Sequence, residues 1–323
     1  MHFKQKLATT THTSSLNSQF KAIDMNSMRR IGLATGALTD YEINYVETQI
    51  VKTVRPLLIG RQLMPIRTLP SAGYTKYTFY KENDMGQATI SMTGEEESMD
   101  LVDLTEDTTK IPIISKDYTL HWRDVLKRRE AGEDLNTQHA ENAARQVAEE
   151  EDKLILSGEY TGWPALGIGG LCNSCDATQR FDGAAWSTAA NSIPDVATAK
   201  QMLRADGFYG PYKLIMPSAI YAYIEELGAG GAGSDKWYFD AIGELIGGTQ
   251  NILVSDNLWP VDGTQNSALL VDVQPGNFEL LVGADISNYL AQLPTMNYQG
   301  KVWEAVVPVI KRPLAICEIY DIT

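Results

Sequence analysis

Residues 111–170 read IPIISKDYTLHWRDVLKRREAGEDLNTQHAENAARQVAEEEDKLILSGEYTGWPALGIGG, a β-rich run, one long amphipathic helix and then a glycine-rich turn. The helix is predicted over residues 135–157, whose interior holds neither glycine nor proline. Ala140, Ala144, Val147, Ala148, Glu151, Leu154 and Ile155 recur at three- and four-residue spacing and so share one face, apolar except at Glu151. Glu141, Arg145, Glu149, Glu150, Asp152 and Lys153 mostly fall on the other side. Asp134 or Asn136 can cap the first turn, and Gly158 can stop the last. At ~1.5 Å per residue the helix is roughly 35 Å long. Its small alanines suit close packing against a sheet or a neighbouring helix, a pattern that an ordinary core helix also satisfies.

Upstream, residues 1–38 are rich in Ser, Thr and Asn with no sustained period, and they read as an extended arm. A first helix is expected after a Thr39-Asp40 cap, with Ile43, Val46, Ile50 and Val54 on one face and Pro56 closing it. Residues 65–119 are strand-like. Between their two apolar runs lies Thr93–Asp107, with seven acids and no bases. Downstream, helices are expected over 195–205, 218–227 and 237–246. Strands are expected over 212–216, 252–255, 268–273 and 278–282. The last 35 residues alternate as strands returning to the main core, and no internal repeat is present.

At 323 residues, 44% hydrophobic and 21% charged, the chain is an ordinary globular protein of one or two domains. The net charge of -14 argues against a surface that binds nucleic acid throughout. Charge is uneven, however: Lys4, Lys6, Lys21, Arg29 and Arg30 face only Asp24 within residues 1–30, so the remaining 293 residues carry -18. No run of ~18 apolar residues suggests a membrane span. The first residues lack the apolar core of a secretory signal. Three cysteines are too few for a disulfide framework and fit assembly inside a cell.

Catalytic patterns are weak. Cys172 and Cys175 form one CxxC without a second pair or a nearby histidine, and read as structural thiols. Gly167-Ile168-Gly169-Gly170 follows a helix, where a dinucleotide fingerprint needs a strand before it. His2, His12, His121 and His139 are scattered. No catalytic residue, cofactor or metal is expected. Lys127-Arg128-Arg129 is a short basic cluster that reads either as a solvated turn or as a subunit contact. For the latter, Glu95, Glu96, Glu97, Asp100 and Asp103 are the natural partner type.

Several segments in order resemble the shell-forming proteins with the Hong Kong 97 fold, especially their encapsulin branch. Besides 111–170, Gly210-Pro211-Tyr212-Lys213-Leu214-Ile215-Met216 resembles the strand before a helix in those shells. Phe278–Ser287 is similar to their late strand and turn, and Val306–Ile319, with Pro313-Leu314-Ala315-Ile316 inside it, to their closing strand. The likeness runs over about 39–323.

The resemblance implies an α+β fold with an N-terminal arm (1–38), a first helix (39–64) and an extended E-loop (65–119). It further implies a peripheral domain (120–194) with a spine helix (135–157), an axial domain (195–285) and C-terminal strands returning to the peripheral domain (286–323). The function it implies is self-assembly of pentamers and hexamers into an icosahedral shell. The arm departs from the encapsulin pattern, which begins almost at the first helix. On that ground the expected protein is the major capsid protein of a tailed virus, assembled in the host cytoplasm and residing in the virion. It would enclose DNA on its inner face without sequence specificity, and the arm residues Lys4, Lys6, Lys21, Arg29 and Arg30 would contact either neighbouring subunits or that DNA. Portal, scaffolding or decoration proteins would be further partners, and no membrane. The alternative is an encapsulin shell around an enzyme cargo; a soluble α/β enzyme is the remote third reading.

Overall fold

A capping box opens the first helix of the computed structural model, which describes residues 38–54, 59–82, 104–158, 166–225, 238–258 and 267–322. Thr39 N donates to Glu42 Oε2 at 2.8 Å and Glu42 N donates back to Thr39 Oγ1 at 3.3 Å. Helix α1 (Asp40–Val54) then buries Val46 and Ile50, and the four-residue α2 (Gly60–Leu63) follows. Strands β1 (Ile66–Thr68), β2 (Lys76–Glu82), β3 (Leu104–Lys110) and β4 (Ile113–Leu120) occupy the strand-like region. Beyond them come α3 (Trp122–Ala131) and the long α4 (Gln138–Leu156). The rest of the chain runs β5 (Arg180–Asp182), α5 (Ser192–Ala205), β6 (Tyr212–Met216), α6 (Ser218–Ile224), α7 (Tyr238–Ile246), β7 (Ile252–Val254), β8 (Ala268–Asp272), β9 (Phe278–Gln292), β10 (Tyr298–Ile310) and β11 (Ile316–Tyr320).

Helix α4 is the one that the 111–170 stretch predicts, three residues shorter at its start. Asn136 supplies the cap, its Oδ1 accepting from Gln138 N at 3.1 Å. Ala140, Ala144, Val147, Ala148, Leu154 and Ile155 are all buried, as the stripe requires, and Glu151 is buried with them. The helix ends where Gly158 turns to a φ of +73°. The returning glycines then close its last turn: Leu171 N donates to Ile155 O at 3.0 Å and Cys172 N to Leu156 O at 2.8 Å. A Cβ on Gly170 would lie 2.1 Å from Gly158 N, so this crossing excludes a side chain.

Strand pairing follows sequence proximity only in part. β2 and β3 pair antiparallel as an isolated ribbon, from Lys76↔Lys110 to Glu82↔Leu104. β1 instead pairs parallel with the distant β9, in a sheet ordered β1-β9-β10-β4. The second sheet runs β5-β11-β8-β6-β7. The closing strand therefore joins β5 and β8 rather than β10. Burial on both faces explains this placement: Ile316, Cys317 and Ile319 are fully enclosed.

The chain divides into two compact units, one of residues 1–53, 116–144 and 288–302, the other of 54–115, 145–287 and 303–323. The first buries Val46, Ile50, Tyr118, Leu120, Val125 and Leu135 among its described residues. The second holds two hydrophobic clusters. One gathers the end of α4 with β8, β9, β10 and the 168–175 turn; the other packs α5, α6 and α7 with Trp186 on the five-stranded sheet. Trp186 is fully buried, and its indole Nε1 donates to Asp195 Oδ2 at 2.8 Å.

Candidate functional site

Within the second unit one arginine gathers three carboxylates. Arg61 on α2 donates from Nε to Glu151 Oε1 at 2.7 Å, from Nη1 to Asp285 Oδ1 at 2.7 Å and from Nη2 to Glu304 Oε2 at 3.3 Å. Glu151 sits in the apolar stripe of α4, so helical periodicity itself carries the acid inward. Glu304 stands on β10 among Val302, Ala305, Val306 and Val307, all buried. The next acid on α4, Asp152, accepts from Gly60 N at 2.9 Å and Ile59 N at 3.2 Å, fixing the chain entering α2. A Cβ on Gly60 would sit 2.6 Å from Ile155 Cδ1, so the short helix lies directly on α4.

Electrostatics in this cluster are lopsided. Glu151 and Glu304 side chains are 0% exposed while Asp285 is 69% exposed. Burial pulls the Arg61 guanidinium down, but its bonds to Glu151 and Asp285 outweigh that and hold it above its ordinary value. Burial pushes Glu151 up against the opposing pull of Arg61. Glu304 is pushed well above the carboxylate range by burial and then by the charge of Glu151. Burial also lifts Asp152 to about 6, against its two backbone donors. Glu151 Oε2 and Glu304 Oε1 are buried without a donor.

The predicted basic cluster lies on α3 in the first unit, and its three members differ. Arg129 makes a two-pronged bond to Glu42 on α1, Nε to Oε1 at 2.8 Å and Nη2 to Oε2 at 2.7 Å. Arg128 donates to the Asp134 carbonyl at 3.1 Å and pairs with Glu133 at 3.7 Å, while Lys127 is exposed. Arg129 is therefore held inside the subunit, which the sequence pattern does not anticipate. Glu95, Glu96, Glu97, Asp100 and Asp103 lie outside the described residues, as do Lys4, Lys6, Lys21, Arg29 and Arg30. Of the acidic run, Glu106 and Asp107 are placed on β3 opposite Tyr80 and Phe79. Arg61, Asp285 and Glu304 escape the sequence reading. The available signal is one acid inside each of two apolar runs, Glu151 and Glu304, because a buried carboxyl demands a partner.

Among the described residues nothing else gathers reactive groups. Cys172, Cys175 and Cys317 are buried thiols. Burial raises Cys175 to about 11 and lifts Cys317 as well, so both stay protonated. Among the described residues no three His, Cys, Asp or Glu side chains are grouped to hold a metal. A cleft of about 590 Å³ in the second unit is lined by Tyr77–Tyr80, the 274–277 turn, Lys311 and Arg312. No described helix is long and apolar enough to cross a membrane.

Comparison with known proteins agrees with this architecture. The family model described as "Encapsulating protein for peroxidase" matches residues 35–306. A type 1 encapsulin shell protein of Myxococcus xanthus is 24% identical over 290 residues, 90% of this chain and 96% of the relative. A diheme-cytochrome-encapsulin shell fusion protein of Kuenenia stuttgartiensis is 24% identical over 85% of this chain and 72% of its own length. In structure, a virus-like particle from Pyrococcus furiosus superposes with a TM-score of 0.64 at 16% identity, covering 87% of this chain and all of that one. The capsid of Myoviridae phage XM1 follows at 0.63 and 12% identity, covering 82% of this chain and 91% of that one. An α+β fold like that of the Hong Kong 97 capsids, with a family match over most of its length, makes this chain a member of the encapsulin shell-protein family, a self-assembling protein whose product is a compartment.

Proposed function

We propose that the chain closes into an icosahedral shell of pentamers and hexamers around a protein cargo. The family match over 35–306 carries this reading, since the curated relatives with the broadest coverage are themselves encapsulin shell proteins. The expectation of a viral capsid rested on the 38-residue arm; the comparisons favour the alternative, the encapsulin shell. The chemistry is assembly. Ile66, Tyr74, Tyr80 and Ile113 are large apolar side chains at least half exposed, all within the region read as the E-loop, and neighbouring copies would cover them. Glu95, Glu96, Glu97, Asp100 and Asp103 would meet Lys127 and Arg128 of adjacent subunits; Arg129, bonded to Glu42, would not take part.

A second reading keeps one observation in its favour. The five bases against one acid in residues 1–30 suit an arm lying along packaged DNA, as in a viral shell. Electron microscopy of the purified full chain tests the shell itself: icosahedral particles are expected, and a persistent monomer would end both readings. The particle contents then decide between them. Co-purifying protein identified by mass spectrometry supports the cargo shell, whereas nuclease-protected DNA supports the capsid.

A further inference from the structure

The Arg61 cluster holds more acid than one guanidinium can balance, and two of its acids are sealed from water. Glu151 and Glu304 are 0% exposed at the side chain, and each gives one oxygen to Arg61. Their other oxygens, Glu151 Oε2 and Glu304 Oε1, meet no donor. Both carboxyls are tied to the one guanidinium, Glu151 Oε1 at 2.7 Å and Glu304 Oε2 at 3.3 Å, and a hydrogen bond between them would require a proton on one of them. Two ionised carboxylates cannot stay in contact in a dry interior, as paired acids sharing one proton illustrate.

We propose that Glu151 and Glu304 hold a single proton between them at neutral pH, and that its loss to hydroxide in alkaline solution opens the Arg61 clamp between α2, α4, β9 and β10. The charged groups facing the pair are Arg61 from α2, Asp152 from α4 and Asp285 from β9. Arg61 is the one cation among them, and Asp285 already occupies its third edge. Once the proton leaves, Arg61 faces two buried anions and one exposed anion. Among the described residues no further donor meets Glu151 Oε2 or Glu304 Oε1 to take the second charge. The end of the spine helix and the segment entering α2 then lose their shared anchor. Burial raises both acids, and the charge of Glu151 raises Glu304 further, which sets the direction: the clamp is closed at lower pH and fails as pH rises. The device is independent of what the shell encloses.

The test is thermal unfolding of the full-length protein from about pH 6 to about pH 10, comparing wild type with Glu304→Gln and Glu151→Gln. A glutamine supplies the missing donor without a titrating proton. The wild-type midpoint is expected to fall by roughly 3 °C per pH unit while the folded pair keeps the proton that the unfolded chain has lost, and to level off once that proton leaves; both variants should be flatter. Parallel slopes for wild type and variants would overturn the proposal. If the variants do not fold, infrared spectroscopy of the wild type decides. At about pH 8, above the titration of Asp152 at about 6, a protonated-carboxyl carbonyl band should be present and should vanish at higher pH. Absence of that band overturns the shared proton. A midpoint that falls on EDTA treatment would assign the pair to a metal ion instead and would equally overturn it.

Discussion

Two arginines anchor this chain, and they do so with opposite arithmetic. Arg129 in the first unit meets one carboxylate, Glu42, through two parallel bonds of 2.8 and 2.7 Å. Burial pushes Glu42 up, but Arg129 and the Thr39 cap pull it below its ordinary value of 4.5. Arg61 in the second unit meets three carboxylates, and there burial wins: Glu151 and Glu304 are raised. The same ion pair chemistry thus gives acids that prefer to be charged in one place and neutral in the other. What differs is the ratio of cation to anion and the depth of burial, not the residue types. A matched pair strengthens as pH rises through the acid range, and an over-acid cluster weakens as pH rises.

Removing each arginine breaks the comparison most directly. Arg61→Ala leaves two buried acids without a cation, and the expected loss is about 3–5 kcal/mol by denaturant unfolding. A loss under about 1 kcal/mol would mean that both acids are already neutral and the guanidinium does little. Gly60→Ala probes the same clamp without touching charge. The new Cβ would come within 2.6 Å of Ile155 Cδ1 and must push α2 off α4. A destabilisation of about 1–3 kcal/mol is expected. An unchanged midpoint would show that the isoleucine can swing aside.

How far these sites can be read without coordinates follows from the range of the signal. Helix α4 is legible because its stripe is local: residues four apart must share a face. β6 is legible for the same reason, five residues of YKLIM between turn residues, and it falls at 212–216 as expected. By contrast, β9 is expected over 278–282 but runs to Gln292, because the polar residues past Gly283 belong to a half-exposed stretch that pairing, not hydrophobicity, holds extended. The partner of β1 lies more than two hundred residues away, and no local pattern encodes it. The Arg61 cluster has the same character. Glu151 and Glu304 stand out as acids in apolar runs, yet nothing near Gly60 announces that Arg61 is their common partner.

Glu42→Gln is expected to have a smaller effect, about 1–2 kcal/mol at neutral pH, since a neutral amide replaces one charge-assisted, mostly buried pair while both hydrogen-bonding groups remain. Because the folded chain holds Glu42 below 4.5, its contribution is present above that value and is lost as pH falls. The variant should therefore lose the part of the wild-type acid dependence that Glu42 supplies. Wild type and variant curves that stay equally far apart down to about pH 3 would exclude this.

The smallest effect is expected from Asp152→Asn, within about 1 kcal/mol at neutral pH, since the amide oxygen can still accept from Gly60 N. Its value lies in the sign. Asp152 is raised from 3.8 to about 6, so the stability it contributes is present below 3.8 and is lost as pH rises through about 6. Glu42 moves stability the other way over the neighbouring acid range. In the wild type the two slopes oppose each other, and each single variant should expose the other: Glu42→Gln a decline with rising pH, Asp152→Asn a gain. The two acids share no ion pair, so their effects should add, and the double variant should keep only the decline with rising pH that the Glu151–Glu304 pair supplies. A double variant that keeps the slope of either single one would mean that the acid response of this fold arises from some other carboxylate.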